Sequence, residues 1–95
     1  MIYHPLLDTF IAVVETGSFT QASQVCYIST TAIMKQINEL EKMMNCKLVQ
    51  RSHQGIVLLP SGNLLYEEAV KLRKQNESFM MKMRSVQEKK IFLFA

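Results

Sequence analysis

Two amphipathic stretches meet across a break of only three residues, Tyr27, Ile28 and Ser29. The first, from about Phe19 to Cys26, offers Ala22, Val25 and Cys26 as its apolar side. After the break, Ser29 has the chemistry of a helix cap, and Ile33, Ile37, Leu40 and Met44 recur at helical spacing until Asn45, a residue that tolerates the left-handed stop. So short a connection forces two helices to cross steeply. The second helix then keeps one face free, as in a helix-turn-helix whose second helix enters a major groove.

The flanking residues complete the unit. Pro5 suits the first position of a helix, Leu7, Phe10, Ile11 and Val14 follow at spacings of three and four, and the helix ends near Thr16 before Gly17. Ser18 to Gln21, S-F-T-Q, has the form of a capping box for the next helix. Beyond Asn45, Leu48 and Val49 and then Ile56 to Leu59 flank the polar segment Ser52, His53, Gln54 and Gly55, which predicts a β-hairpin. Pro60 opens a last helix, uninterrupted from about Asn63 and near 30 residues long, roughly 45 Å if straight. The expected fold is mainly α: a winged helix-turn-helix with a two-stranded β wing and a long C-terminal helix. Residues 1–59 form the head, 60–90 the linker or dimerisation helix, and 91–95 a tail.

A chain of 95 residues, 48% apolar and 20% charged, has the composition of one folded domain plus an appendage. It contains no apolar run of about 20 residues and no basic-then-apolar leader, so a cytoplasmic location and no membrane partner are expected. Cys26 and Cys46 read as small buried apolar residues in a reducing compartment. The net charge of +3 is unevenly placed. Lys35, Lys42, Lys47 and Arg51 balance Asp8, Glu15, Glu39 and Glu41, and the whole excess lies after Pro60. Charge by itself therefore does not identify a nucleic-acid partner.

The face of the third helix opposite its apolar seam carries Thr30, Thr31, Met34, Lys35 and Asn38. On an arbitrary helix such a face is simply solvated. Here it stands among E-T-G-S-F-T-Q-A-S, I-S-T-T-A-I-M-K-Q-I-N-E-L-E, L-V-Q-R and S-G, in that order. This series resembles the N-terminal domain of LysR-type transcriptional regulators from about Leu6 to Ala69, with the last helix similar to the family's linker helix. Several linked motifs at the right spacing are far more specific than one short motif. The resemblance implies a DNA-binding head and an antiparallel pairing of two linker helices. It also implies a C-terminal effector-binding domain, with higher oligomers in a full-length protein and a small-molecule effector only where that domain exists. The final I-F-L-F-A has the look of the first strand of such a domain.

Departures from the family pattern fall on the reading face. Thr30 stands where Gln is usual and lacks the bidentate grip a Gln has on adenine; Thr31 replaces a common Pro or Ser. Met34 replaces a Ser with an apolar group able to touch a thymine methyl. Lys35 matches the family's basic position and reads as a phosphate or guanine contact. Arg51 matches the arginine that closes the family's L-F-x-R, as a DNA contact, an anchor of the wing, or both. Ser52, His53 and Gln54 would approach the minor groove or backbone, without the usual arginine there. Ser18 and Thr20 place a helix N-terminus and hydroxyls where a phosphate would be welcome, and Ser29 both caps its helix and borders the face.

On the last helix Leu65, Ala69, Leu72, Asn76, Phe79, Met83 and Val86 step by four and three, a heptad seam that asks for a second copy of the same helix, with Asn76 setting register. The alternative is that this helix folds back on its own head. Met80 and Met81 widen the stripe, while Lys71, Arg73, Lys74, Lys82 and Arg84 form a solvated face. No nucleophile with a neighbouring base, glycine-rich phosphate loop or metal-ligand cluster is present, so neither an enzyme nor a cofactor or metal is expected. The competing function is an interaction module that does not bind DNA and pairs with a full-length relative.

Overall fold

The computed structural model describes residues 3–89, in the order α1 (Pro5–Thr16), α2 (Phe19–Cys26), α3 (Thr30–Met44), β1 (Val49–Ser52), β2 (Gly55–Leu58) and α4 (Pro60–Lys89). The fold is mainly helical, with one two-stranded antiparallel sheet. The molecule measures 64 × 25 × 19 Å, a small head drawn out along α4. The tail at 91–95, and its reading as a first strand, lies outside the described residues.

Each helix stops and starts where local chemistry dictates. Gly17, at φ 69°, takes the left-handed position that ends α1, and its N–H donates to the Val13 carbonyl at 2.9 Å. Ser18 then caps α2 by accepting from the Gln21 N–H at 3.1 Å, and Ser29 caps α3 by accepting from the Ala32 N–H at 3.0 Å. Such caps are each worth about 1 kcal/mol. Two caps have no conventional signature: His4 Nδ1 accepts from the Leu6 N–H at 3.2 Å, and Tyr27 closes α2 at φ 58° while 92% exposed. Asn45 ends α3 in the same conformation.

The core is built on α1, whose Leu6, Leu7, Phe10, Ile11, Ala12 and Val13 are buried against Ala22 of α2, Ile33, Ile37 and Leu40 of α3, and Leu48. Three expected core residues lie outside it. Val25 is 59% exposed, because Ala22 and Cys26, one turn apart, form the inward edge of the two-turn α2. Met44 is 46% exposed in the last turn of α3, where the chain swings away and Leu48 closes the core instead. Cys46 is exposed in the loop that follows, whereas Cys26 is half-buried. Burial, and after it the Asp8 carboxylate, pushes the Cys26 thiol up.

In the wing, Val49 pairs with Leu58, Gln50 with Val57, Arg51 with Ile56 and Ser52 with Gly55, so Ser52 and Gly55 belong to the strands and only His53 and Gln54 to the turn. The Glu41 carboxylate ties the wing to α3 by accepting from the N–H of Leu48 at 2.8 Å and of Val49 at 3.4 Å. From the other side α4 presses in at Gly62. A Cβ there would run into the Leu48 carbonyl oxygen and Leu58 Cδ1, so only glycine allows the approach. The Ser61 hydroxyl donates to the Lys47 carbonyl beside it.

The first two turns and more of α4 belong to the head, and its helix starts at Pro60, earlier than Asn63. Ala69 is fully buried and Leu65 packs against the same core, so these two members of the expected dimer seam face their own head. The sequence pattern showed an apolar stripe but not which surface it met. Past Asn76 the side chains described, through Gln87, are exposed, among them Phe79, Met80, Met81, Met83 and Val86.

Candidate nucleic-acid interface

The free face of α3 carries Thr31, Lys35 and Asn38, spaced four and three apart, all exposed and without a side-chain partner among the described residues. They form one polar stripe. Thr30, at the start of the helix, is half-buried and its hydroxyl donates to Ser23 Oγ at 3.4 Å, so it faces α2 more than solvent. Ser29 is exposed with its hydroxyl on the Ala32 N–H. Gln36, one residue beyond Lys35, turns inward, where its Oε1 accepts from the buried Thr9 hydroxyl at 2.6 Å. That bond joins α3 to α1 and fixes the rotation of the stripe.

Arg51 stands at the junction of three elements. Its guanidinium lies over the Phe19 ring of α2 at 5.0 Å from the centroid, and its Nη2 is 3.1 Å from Met34 Sδ on α3. No carboxylate neutralises it among the described residues. Two clefts meet there, and Phe19 and Arg51 line both. One, of about 330 Å³, runs between α3 and β1 past Met34, Asn38, Lys47 and Gln50. The other, of about 310 Å³, opens on Ser18, Thr20, Thr30 and Ser52. Hydroxyls, an arginine and the N-terminal end of α2, whose first N–H groups have no intrahelical acceptor, thus share one surface. His53 and Gln54 are exposed at the tip of the wing, where Ser52 Oγ accepts from the Gln54 N–H at 3.2 Å.

Of the residues singled out from the sequence, Ser18, Thr20, Thr30, Met34, Asn38 and Arg51 are brought together around the two clefts, while His53 and Gln54 stand apart at the wing tip. Phe19 and Glu41 were missed as organisers of the surface. Both sit inside the quoted motifs, but their partners are 32 and seven residues away in sequence, beyond any local signal.

Comparison with known proteins identifies the architecture. Residues 5–63, more than half of the chain, match the bacterial regulatory helix-turn-helix proteins of the lysR family. The chain belongs to the LysR family. Among relatives, the LysR-family chain is 38% identical over 68 residues to the transcriptional regulator CysL of Bacillus subtilis, covering 72% of this chain and 23% of that one. It is similar to the BenM DNA-binding domain in its complex with catB site 1 DNA, at 28% identity and a TM-score of 0.83, over 86% of this chain and 92% of that one. It is also similar to Vibrio fischeri DarR in complex with DNA, at 26% identity and a TM-score of 0.85, over 93% of this chain and 30% of that one. The LysR-family chain spans about a quarter of the length of the curated relatives it matches. Its long α4, 30 residues, contains no stretch apolar enough to cross a membrane, and no other described helix does.

Proposed function

We propose that this chain is the DNA-reading end of a transcription regulator and acts as a dimer on a palindrome-like site. The supporting observation is the exposed stripe Thr31, Lys35 and Asn38 on α3, set beside the α2 N-terminus and an Arg51 that no carboxylate neutralises among the described residues, in a fold shared with DNA-complexed relatives. In this reading α3 lies in the major groove. Thr31, Lys35 and Asn38 face base edges and phosphates, with Ser29 and Thr30 at the helix entry. Ser18, Thr20 and Arg51 hold the flanking backbone, and His53 and Gln54 of the wing meet the neighbouring groove. Residues 1–59 and the first turns of α4 supply the head, and the rest of the helix, toward residue 90, joins it to a second copy through Leu72, Asn76, Phe79, Met83 and Val86. The protein works in the cytoplasm at the nucleoid, recognising and not transforming its ligand.

Because the head is neutral, affinity for random DNA is modest and falls with salt less steeply than for a strongly basic protein. Fluorescence anisotropy with palindromic and random duplexes across a salt series tests this. Saturable binding that weakens with salt and drops in Lys35→Ala and Arg51→Ala supports the reading. A stable dimer that binds no duplex at low salt overturns it in favour of an interaction module pairing with a full-length relative.

A further inference from the structure

We propose that Met34 is a positioning residue, which holds the Arg51 guanidinium in place for a backbone phosphate and does not itself read a base. The inference rests on the DNA-binding reading above. An arginine side chain at a surface has many rotamers, and a binding partner must remove that freedom before the planar fork can be used. Here the plane is already set by the Phe19 ring, 5.0 Å from Cζ, and the edge by Met34 Sδ, 3.1 Å from Nη2. Thioether sulfur is a weak acceptor, so it orients the group while leaving its charge and most of its five donors uncommitted. A carboxylate at the same place would neutralise the cation it orients.

The placement of Met34 argues the same way. It is half-buried and lines the cleft under the wing with Ile37 and Val49, whereas Thr31, Lys35 and Asn38 beside it are exposed. Its sulfur is turned to the wing and away from the open stripe. The guanidinium it holds borders the cleft formed by Ser18, Thr20, Thr30 and Ser52, a setting of hydroxyls that suits a phosphate oxygen and carries no base-specific pattern.

The test is a double-mutant cycle on duplex affinity with Met34→Leu, Arg51→Ala and the pair, using several unrelated duplex sequences. Circular dichroism confirms that each variant folds. The expected result is that Met34→Leu, which keeps the volume and removes the sulfur, weakens all duplexes alike by about threefold. The same change on the Arg51→Ala background has no further effect. Arg51→Ala lowers the salt slope by about one. Equal losses from Met34→Leu with and without Arg51, or a loss confined to one base sequence, overturns the proposal, since Met34 would then touch DNA itself. A second arm needs no DNA: in the free protein, NMR should show the Met34 methyl resonance displaced by Arg51→Ala and the Arg51 side chain more mobile in Met34→Leu. Unchanged spectra would also overturn it. Failure of the unmutated chain to bind any duplex would remove the DNA-binding reading, and the NMR arm would still decide whether Met34 holds Arg51.

Discussion

The Tyr66 hydroxyl donates to the Glu15 carboxylate at 2.9 Å, joining residues 51 positions apart on α4 and α1. That hydrogen bond, ahead of burial and of the carboxylate's charge, raises the Tyr66 phenol above its ordinary range. Two turns further along α4, Arg73 comes within 3.8 Å of Asp8 on the same α1. Both contacts are exposed and individually weak. Their value is directional: they sit either side of the buried Ala69 and fix how α4 leaves the head.

Gly62→Ala should destabilise the head by about 1–3 kcal/mol, the usual range for overpacking. The new methyl meets the Leu48 carbonyl oxygen, which as backbone cannot move aside cheaply. Urea denaturation would register the loss as a lower midpoint at unchanged slope. A midpoint equal to that of the parent would show that α4 does not press on the wing there.

Glu41→Ala leaves the N–H groups of Leu48 and Val49 without their carboxylate acceptor. Losing hydrogen bonds to a charged group costs about 1.5–3 kcal/mol. Hydrogen exchange at these two amides should accelerate more than at α1 amides, because the wing loosens before the helical core does. Uniform acceleration across the chain would contradict that local role.

Tyr3 gives the pH prediction. Burial, and then the Asp8 carboxylate, push its phenol up to about 12 from 10.0. Between those values the unfolded chain has released the proton that the native chain still holds. Stability is therefore intact below about pH 10 and falls as pH rises toward 12. Tyr3→Phe should remove that part of the fall. Near neutral pH it should cost little, because the buried hydroxyl has no hydrogen-bond partner among the described residues. Identical alkaline profiles for the two proteins would refute the assignment.

Ala69 and Met83 should separate two functions that one sequence stripe combines. Ala69→Leu inserts bulk at a fully buried position and should lower the thermal midpoint of the head. Met83→Asp lies at a site 52% exposed on the distal helix and should leave the head's stability nearly unchanged while weakening self-association. Sedimentation velocity over a concentration series, beside thermal melts, distinguishes the two. Self-association unaffected by Met83→Asp would remove the distal stripe from the interface.

Local chemistry in the sequence foretold the helix boundaries at Gly17, Ser18, Ser29 and Asn45, and the hairpin between Val49 and Leu58, because caps and turns depend on neighbours a few residues away. The misplacements of Val25 and Met44 have one cause. Helical spacing reports an apolar stripe, but the width of the surface it meets is set by other elements. The same limit applies to Leu65 and Ala69, since a seam facing its own core and a seam facing a second copy obey one periodicity. His4 and Tyr27 escaped notice as caps because each does the work of a more typical residue. In the candidate interface, exposure of Lys35 and Asn38 was legible from the helix face they occupy. The hold of Phe19 and Met34 on Arg51 was not, because it exists only once the wing has folded back between α2 and α3.

The seating of Ala69, Gly62 and Tyr66 fixes the first turns of α4 against the head, so the helix leaves it in one set direction and acts as a lever on it. In a dimer joined at the distal end of that helix, the heads move only as the two levers pivot. With an arm of roughly 28 Å from Pro60 to the middle of the proposed seam at Phe79, a pivot of about 8° carries a head roughly 4 Å. That exceeds the spacing of neighbouring base pairs along a duplex, about 3.4 Å. Small changes in how the helices cross would therefore be heard by the heads as a change of register on DNA.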